Sequence, residues 1–298
     1  MANPYFTLFT SVYNGEKHIN RVFESVNAQI FNDFEWIIIN DGSIDNTSIL
    51  IQSFIQNHPG IDIIYIDQNN SGKHIAWNKA VELARGQLFI PADADDYFMP
   101  ETLSFFYESW TALTPGEQLS LSGINVLCLD NDTQKIVGNP YPFDGMKTNN
   151  LELLYKYKIK GEKWGCIRVD LLKDRTFPII KGYFPESYLW MDLSKSYQVI
   201  CFNKALRRYY TTDTGIIQTM LKNKHNPIQA RVTIKYNFWF IKNFGLYLLV
   251  HSPKELYRRI ISTMKLTLLL LMTRFKHEQQ VDILESGRSL KKKNNEYK

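Results

Sequence analysis

The sequence predicts an α/β fold in which helices flank a mostly parallel sheet and a helical appendage follows. First, short apolar runs alternate with amphipathic helical segments over the first hundred residues, the order of a β-α-β-α-β-α-β chain. Second, 298 residues with 44% hydrophobic and 22% charged side chains fit a folded protein and exclude disordered and fibrous classes. Third, helical periodicity returns after residue 226 and indicates a separate helical region.

The elements of the first half follow in a regular order. The predicted strands are 5–12, 34–39, 61–66 and 88–92, and the predicted helices between them are 16–29, 45–56 and 74–84. Ligands of such sheets bind beyond the carboxyl ends of the strands, so the polar loops there are expected at one edge. These loops are 10–15, 40–46, 69–73 and 93–96.

Beyond Pro100 the pattern is weaker. It predicts strands at 119–129 and 163–169, one or two strands at 198–210, a short helix at 187–197, and longer helices at 226–244 and 254–276. We therefore expect a domain of residues 1–215, a helical region of residues 216–284 and a polar, mobile tail of residues 285–298.

Charge and cysteine usage suggest partners and compartment. The net charge is +5, and much of the basic surplus lies late in the chain, where it could meet nucleic acid, anionic lipid or an acidic acceptor, or form a solvated helix face. Cys128, Cys166 and Cys201 lack metal-site spacing and predict buried thiols in a reducing compartment. No secretory pattern opens the chain, so we expect a cytoplasmic protein. The apolar run at 266–272 is too short to span a bilayer; it predicts either a membrane-surface helix or a core helix.

Three carboxylates follow the predicted strand 88–92 within four positions: Asp93, Asp95 and Asp96. Like charges this close raise one another's pKa unless a cation or water relieves them. Mn²⁺ and Mg²⁺ prefer oxygen ligands and often keep water and phosphate oxygens in their shell. The triplet therefore predicts either a metal site or a solvated loop in which Asp96 caps the helix after Pro100.

Two further loops carry groups that suit a nucleotide. In the turn after strand 34–39, Gly42 permits a tight bend, and Asp41 could accept the N3–H of a uracil or thymine ring. At the start of helix 74–84, free backbone N–H groups favour anions, and Lys73 could add charge for a diphosphate. The loop after strand 34–39 is also consistent with a plain strand-to-helix turn, and His74 with an ordinary surface or packed residue.

These segments together resemble the successive motifs of family-2 glycosyltransferases with the GT-A fold. They are TSVYNG at 10–15, EWIIINDGSIDNT at 35–47, SGKHIAWN at 71–78 and ADADD at 92–96. The resemblance implies a Rossmann-like domain with a nucleotide-sugar-binding half, residues 1–100, and an acceptor-binding half, residues 101–215. It further implies a nucleotide-diphospho-sugar donor, by family habit a UDP-sugar, a divalent Mn²⁺ or Mg²⁺, and inversion at the anomeric carbon.

The resemblance also implies roles for individual residues. The donor would be contacted by Thr10, Tyr13, Asn14, Asp41, Lys73, Asp93 and Ala94, and Asp95 would hold the metal that bridges the two phosphates. The run KGYFPESYLW at 181–190 looks like the family's segment that carries the general base, which makes Glu186 the expected base, although a carboxylate at a helix start is also favoured by the helix dipole. On the acceptor side, Trp190 is expected to stack on a sugar ring, and Asp192 is the fallback base.

The sequence departs from the family pattern in three places. Asn40 replaces the usual Asp, Ser187 replaces the Asp that often follows the base, and a Gln-x-x-Arg-Trp motif is lacking, so a processive polymer synthase is not expected. Arg207 and Arg208 lie near where that motif would fall and predict either a phosphate contact or a solvated strand end.

We therefore expect a metal-dependent inverting glycosyltransferase that adds one sugar to a cell-surface glycan or lipid-linked saccharide. The basic C-terminal helices could hold it against an anionic membrane at the inner face of the cell membrane, and no nucleic-acid partner is expected. One alternative is a sugar-phosphate nucleotidyltransferase, although residues 13–16 lack the basic, glycine-rich loop it needs. The other is a non-catalytic nucleotide-binding or membrane-recruiting module.

Overall fold

The structure is a computed structural model that describes residues 3–210 and 226–272. The chain divides into two units, Met1–Gly215 and Ile216–Lys298. Within the first unit, the predicted alternation of strands and helices is confirmed, and the element ends lie within three residues of their predicted places. The elements are β1 (Phe6–Val12), α1 (Ile19–Asn27), β2 (Phe34–Asn40), α2 (Thr47–Asn57), β3 (Asp62–Asp67), α3 (Lys73–Leu83) and β4 (Leu88–Pro91).

The second half of this unit contains more short elements than the sequence pattern predicts. The elements are β5 (Tyr97–Phe98), α4 (Thr102–Thr111), α5 (Pro115–Ser120), β6 (Leu121–Asp130), β7 (Met146–Thr148), α6 (Asn150–Tyr155), β8 (Lys163–Arg168), α7 (Val169–Lys173), α8 (Ser187–Leu193) and β9 (Gln198–Tyr209). The predicted region 198–210 is one strand, and α8 ends four residues before its predicted end.

The described strands form one nine-stranded sheet in the order β3-β2-β1-β4-β8-β6-β9-β5, and β7 pairs with β9. The strands β3, β2, β1 and β4 are parallel, as predicted. Antiparallel pairing begins where β4 meets β8, and the far side of the sheet is mixed, with β6 and β9 parallel. From β1 the chain adds β2 and then β3 on one side of the sheet, and it then crosses to add β4 on the other side of β1. Such a reversal of the strand order opens a crevice at the carboxyl ends of the strands.

The core of the first unit lies between this sheet and its helices. Every residue of β2 is buried, because helices cover both faces of the central parallel strands. On one face, α1 buries Ile19, Val22, Phe23 and Val26 at helical spacing, and Phe23 meets the ring of Trp36 edge on at 5.8 Å. This packing fixes the ends of β1, β2 and β4, from which the polar loops extend.

The second unit contains two described helices, α9 (Pro227–His251) and α10 (residues 253–272). Asn226 caps α9 by accepting a hydrogen bond from the backbone N–H of Ile228. The helix continues seven residues beyond its predicted end at Phe244, and Gly245 does not end it. Residues 273–276 of the second predicted helix lie outside the described residues. Among the described helices, none is long and apolar enough to cross a membrane.

Candidate active site

The loops that follow β1 and β2 are joined by hydrogen bonds. The backbone N–H of Asn14 donates to Oγ of Ser43 (2.9 Å), and the N–H of Ile44 donates to Oδ1 of Asn14 (2.9 Å). Asn14 adopts a positive φ of 51°, which an asparagine tolerates better than most residues. Its side chain therefore holds two loops together, whereas the neighbouring Tyr13 is 52% exposed and presents its ring to solvent.

Asp41 is buried and connects the loop after β2 to the start of α3. Its Oδ1 accepts hydrogen bonds from Nε2 of Gln68 (2.7 Å) and the N–H of Ser71 (2.8 Å), and its Oδ2 accepts one from the N–H of Gly72 (2.8 Å). Each carboxylate oxygen can accept about two such bonds. Oδ2 therefore retains acceptor capacity for a ligand, while Oδ1 is already fully used.

The side chain of Thr10, which is expected to contact the donor, lies inside the sheet and not at its open edge. Thr10 is fully buried; its hydroxyl donates to the carbonyl of Ala92 (2.6 Å) and accepts from Nε1 of Trp36 (3.0 Å). Its role is to tie the carboxyl ends of β1 and β4 together. Ala94, two residues beyond Ala92, is partly buried and packs against the core.

The acidic corner, which we define as Asp93, Asp95 and Asp96 with the cations Lys73 and Arg207, lies after β4. Nζ of Lys73, at the start of α3, lies 2.5 Å from Oδ1 of Asp93 and 2.8 Å from Oε1 of Glu186. Burial alone would lower the pKa of Lys73, but the carboxylates of Asp93 and Glu186 raise it above its ordinary value. Lys73 therefore remains a cation that bridges two carboxylates.

Arg207 on β9 is buried and supplies the second cation. Its Nε donates to Oδ2 of Asp96 (2.7 Å), and its Nη2 donates to Oδ2 of Asp93 (3.0 Å) and also to Asp96. Burial alone would raise the pKa of Asp93, but Lys73 and Arg207 lower it below its ordinary value. The solvated strand end predicted for Arg207 is wrong, because the guanidinium is buried and neutralises the protein's own carboxylates. The phosphate contact stays a prediction.

Asp96 does not cap the helix after Pro100, so that reading of the triplet is wrong. The N-cap residue of α4 is Glu101, and Asp96 instead accepts hydrogen bonds from Arg207 and from the N–H of Tyr210 (3.2 Å). Burial raises the pKa of Asp96 to about 7, against the opposing effect of Arg207. Asp96 is therefore a buried carboxylate whose negative charge is compensated by one guanidinium, that of Arg207.

Asp95 is the carboxylate of the triplet that lacks a partner among the described residues. Its backbone carbonyl accepts from Nη1 of Arg21 (3.0 Å), but no hydrogen bond or ion pair reaches its side chain there. Burial, followed by the charge of Asp93, raises the pKa of Asp95. Within the part of the chain that the structure describes, no three His, Cys, Asp or Glu side chains are arranged to hold a metal. One free carboxylate nevertheless fits a divalent cation whose other ligands are water and diphosphate oxygens.

Glu186 immediately precedes α8 and lies beside the acidic corner. Its side chain is 30% exposed, and its Oε1 pairs with Lys73. Its Oε2 has no partner in residues 3–210 or 226–272, so this oxygen has free lone pairs. A carboxylate with one oxygen fixed and the other open is suited to accept a proton from a hydroxyl.

The segment that carries Glu186 is anchored on α3. Nε2 of His74 donates to the carbonyl of Ile180 (3.0 Å). Asn78, one turn later, donates to the carbonyl of Phe177 (2.8 Å) and accepts from the N–H of Phe177 (2.8 Å). Helix α3 therefore positions Lys73 and the segment of Glu186 together. The i, i+4 spacing of His74 and Asn78 predicts a shared face, but their partners cannot be read from the sequence.

The two residues predicted on the acceptor side have different surroundings. Trp190 is partly buried and meets Trp77 edge on, with ring centroids 5.8 Å apart. Both carboxylate oxygens of Asp192 are in ion pairs, Oδ1 with Lys195 (2.5 Å) and Oδ2 with Arg175 (3.2 Å). Glu186 is therefore better suited than Asp192 to act as a base.

Comparison with known proteins shows which proteins the first half resembles. Residues 7–116 match the family model described as glycosyl transferase family 2. EpsH of Bacillus subtilis, assigned as a glycosyltransferase, is 29% identical over 168 residues, which cover 55% of this chain and 46% of EpsH. TuaG of the same species, assigned to teichuronic acid biosynthesis, is 25% identical over 222 residues, which cover 72% of this chain and 81% of TuaG. The chain spans about half or less of the first curated relatives it matches.

Solved structures share the fold. TarS of S. aureus in complex with UDP-GlcNAc superposes with a TM-score of 0.58 at 19% identity, over 80% of this chain and 66% of that chain. The mannosyltransferase PcManGT of Pyrobaculum calidifontis in complex with GDP-Man and Mn²⁺ gives a TM-score of 0.59 at 16% identity, over 97% of this chain and 81% of that chain. At these identities the likeness establishes the fold alone.

Proposed function

We propose that this chain, whose residues 7–116 belong to glycosyl transferase family 2 and whose sheet has the GT-A arrangement, transfers one sugar with inversion from a nucleoside-diphosphate sugar to a saccharide or lipid-linked acceptor. One observation carries the proposal: in the acidic corner, Lys73 and Arg207 neutralise Asp93 and Asp96, and the side chain of Asp95 is left open. That open carboxylate follows β4, beside the strand-order reversal where such sheets bind ligands.

The proposed donor is a UDP-sugar bound with Mn²⁺ or Mg²⁺. The fold relatives support this choice, since TarS was solved with UDP-GlcNAc and PcManGT with GDP-Man and Mn²⁺. Asp95 would be the protein's ligand to the cation, whose chemistry is to stabilise the negative charge of the departing diphosphate. Tyr13 and Oδ2 of Asp41 remain our candidates for contact with the nucleoside.

The proposed base is Glu186. Lys73 holds its Oε1, and Oε2 takes the proton from the acceptor hydroxyl as that oxygen bonds to the anomeric carbon. The bond from the anomeric carbon to the diphosphate oxygen breaks on the opposite side, and its electron pair leaves with the nucleoside diphosphate. The configuration at the anomeric carbon therefore inverts. Trp190 would contact a ring of the acceptor.

The proposed acceptor belongs to the cell envelope, and the proposed location is the inner face of the membrane. The relative TuaG is assigned to teichuronic acid biosynthesis, which supports an envelope saccharide as acceptor. The basic second unit supports a peripheral contact with anionic lipid.

The proposal is tested first by donor binding. We would measure the melting temperature of the full chain with UDP, GDP and their sugars, each with and without Mn²⁺, because ligands that bind the native state raise it. We expect a UDP compound with Mn²⁺ to give the largest rise. Asp95→Asn should abolish that rise without lowering the ligand-free melting temperature, because burial and the charge of Asp93 already disfavour the Asp95 carboxylate in the folded chain. Its matched control is Asp33→Asn, which removes an exposed carboxylate at the start of β2.

Turnover is tested separately. Glu186→Gln keeps the size of the side chain but cannot accept the proton, so we expect donor binding to persist and transfer to fall by at least about a hundredfold. Glu24→Gln, at an exposed position of α1, is the control. A chain that binds none of the nucleotides with Mn²⁺ would favour the non-catalytic module, and full transfer by both Asp95→Asn and Glu186→Gln would overturn the assignment of both residues.

A further inference from the structure

Helix α10 presents an apolar stripe to solvent. We define the apolar stripe as Tyr257, Ile260, Met264, Leu268 and Leu271, each 40 to 67% exposed. Their spacing of three and four residues places them on one face of the helix. The end of α9 adds three exposed apolar side chains, Leu246, Leu249 and Val250. A helix that packs in a protein core turns such a face inward, so this arrangement requires another explanation.

The opposite face of α10 is polar and buried. Nη1 of Arg259 donates to Oδ1 of Asn237 on α9 (3.1 Å), its Nε lies 2.8 Å from Oε1 of Glu255, and its guanidinium lies 3.8 Å from the ring centroid of Phe240. Thr263, one turn after Arg259, is also buried. These contacts fix the rotation of α10 about its axis. Helix α10 therefore buries Arg259 and Thr263 and leaves the apolar stripe exposed.

Basic residues accompany the apolar stripe. Lys254, Arg258 and Lys265 are four and seven residues apart, which puts them on one face beside the stripe. Arg258 pairs with Glu255, whereas the described residues offer no ion-pair partner to Lys254 or Lys265. Residues 226–272 contain seven Lys and Arg but a single acidic residue, so this part of the chain alone carries more positive charge than the net +5 of the whole chain.

We infer that α10 lies flat in the surface of an anionic lipid bilayer, with the apolar stripe between the acyl chains and Lys254 and Lys265 among the phosphates. This inference builds on the proposed membrane location and assigns it to one face of one helix. An apolar stripe bordered by cations is what such an interfacial helix requires. A second copy of this unit would bring the same positive charge, whereas anionic headgroups are complementary to it.

The dimensions of the helix agree with a surface position. The apolar stripe spans 14 residues of rise, about 21 Å, which is shorter than the hydrocarbon core of a bilayer. Its opposite face carries the buried Arg259 and Thr263, which would be costly to place in lipid. The helix therefore inserts one face and keeps the other against α9.

The apolar contribution is tested by flotation of the full chain with vesicles of phosphatidylcholine containing about one third phosphatidylglycerol. Met264→Ser/Leu268→Ser should weaken binding by on the order of a hundredfold, because two side chains lose their burial in lipid. Both positions are exposed, so the fold should survive; far-UV circular dichroism checks this. The matched control is Ile44→Ser/Leu119→Ser, two exposed apolar residues of the first unit, which should bind like the natural chain.

The charge contribution is tested with Lys254→Gln/Lys265→Gln. We expect about 30-fold weaker binding, because each cation near an anionic surface contributes about fivefold. Lys135→Gln/Lys173→Gln removes the same charge from exposed sites of the first unit and should change binding by less than about twofold. High salt and pure phosphatidylcholine should each weaken binding by the natural chain.

Two results would overturn the inference. One is a natural chain that fails to float with anionic vesicles while Mn²⁺-dependent nucleotide binding is intact, which would leave the proposed function standing. The other is a stable dimer in light scattering that Met264→Ser/Leu268→Ser dissociates, with equal vesicle binding by both forms. The apolar stripe would then be an interface between copies of the chain.

Discussion

Replacing Arg207 with methionine should destabilise the first unit strongly. The guanidinium is only 5% exposed and bonds both Asp93 and Asp96, so its removal leaves two carboxylates with one remaining cation, Lys73. Breaking a buried ion pair by removing one partner costs about 3–5 kcal/mol. At about 2–4 °C per kcal/mol for a unit of this size, the melting temperature should fall by roughly 10 °C.

A double-mutant cycle isolates the pair from other effects of the substitution. Urea unfolding followed by tryptophan fluorescence would compare Arg207→Met, Asp96→Asn and the double variant, and we expect a coupling energy of about 2–3 kcal/mol. The cost of Arg207→Met should be larger at about pH 8.5 than at about pH 6, because burial already raises the pKa of Asp96 to about 7 and a proton relieves the unpaired charge.

A surface ion pair provides the control for this cycle. Lys147 pairs with Glu117, and both side chains are more than a third exposed, so Lys147→Met should cost less than about 1 kcal/mol. The reasoning fails if Arg207→Met costs no more than Lys147→Met. It also fails if the effects of Arg207→Met and Asp96→Asn simply add, since the two groups would then be energetically independent.

Three further substitutions test other parts of the first unit by urea unfolding. Gly42→Ala should cost about 2–3 kcal/mol, because φ is +77° and an added Cβ would lie 2.7 Å from a backbone nitrogen; Gly60→Ala, with open space around it, should cost less than about 1 kcal/mol. Glu35→Gln should cost about 2–3 kcal/mol, because this fully buried carboxylate accepts three internal hydrogen bonds. Burial lowers the pKa of His74, so the unfolded chain takes up a proton first as pH falls; stability should therefore drop between about pH 7 and pH 5, and less so in His74→Gln.

The first half of the fold could be predicted because its signals are local. Each strand from β1 to β4 is a short apolar run, and each intervening helix shows its own periodicity, so the elements need no knowledge of distant residues. The short elements β5 and β7 have two and three residues and carry no periodic signal. Pairing with β9, about a hundred and about fifty residues later respectively, is what makes them strands.

The location of the candidate site could also be predicted, but its internal contacts could not. The rule that loops gather at the carboxyl ends of parallel strands puts Asp41 and Asp95 at one edge of the sheet from the sequence alone. The burial of Thr10 was missed, because a residue near a strand end looks the same in the sequence whether it faces the core or a ligand. The partner of Asp96 was missed because Arg207 reaches it from a strand more than a hundred residues away.

The charges of the acidic corner bear on why the proposed donor would bring a cation that the fold itself does not require. From the sequence alone, either a metal or water could relieve the three adjacent carboxylates, but Lys73 and Arg207 already relieve two of them. A diphosphate brought to within about 4 Å of the third, Asp95, would meet a repulsion of about 4 kcal/mol per pair of unit charges at an effective dielectric constant of about 20. Lys73 and Arg207 are both already paired with carboxylates of the protein. In the proposed function the additional positive charge arrives with the donor, so Asp95→Asn should change nucleotide binding without lowering the stability of the ligand-free chain.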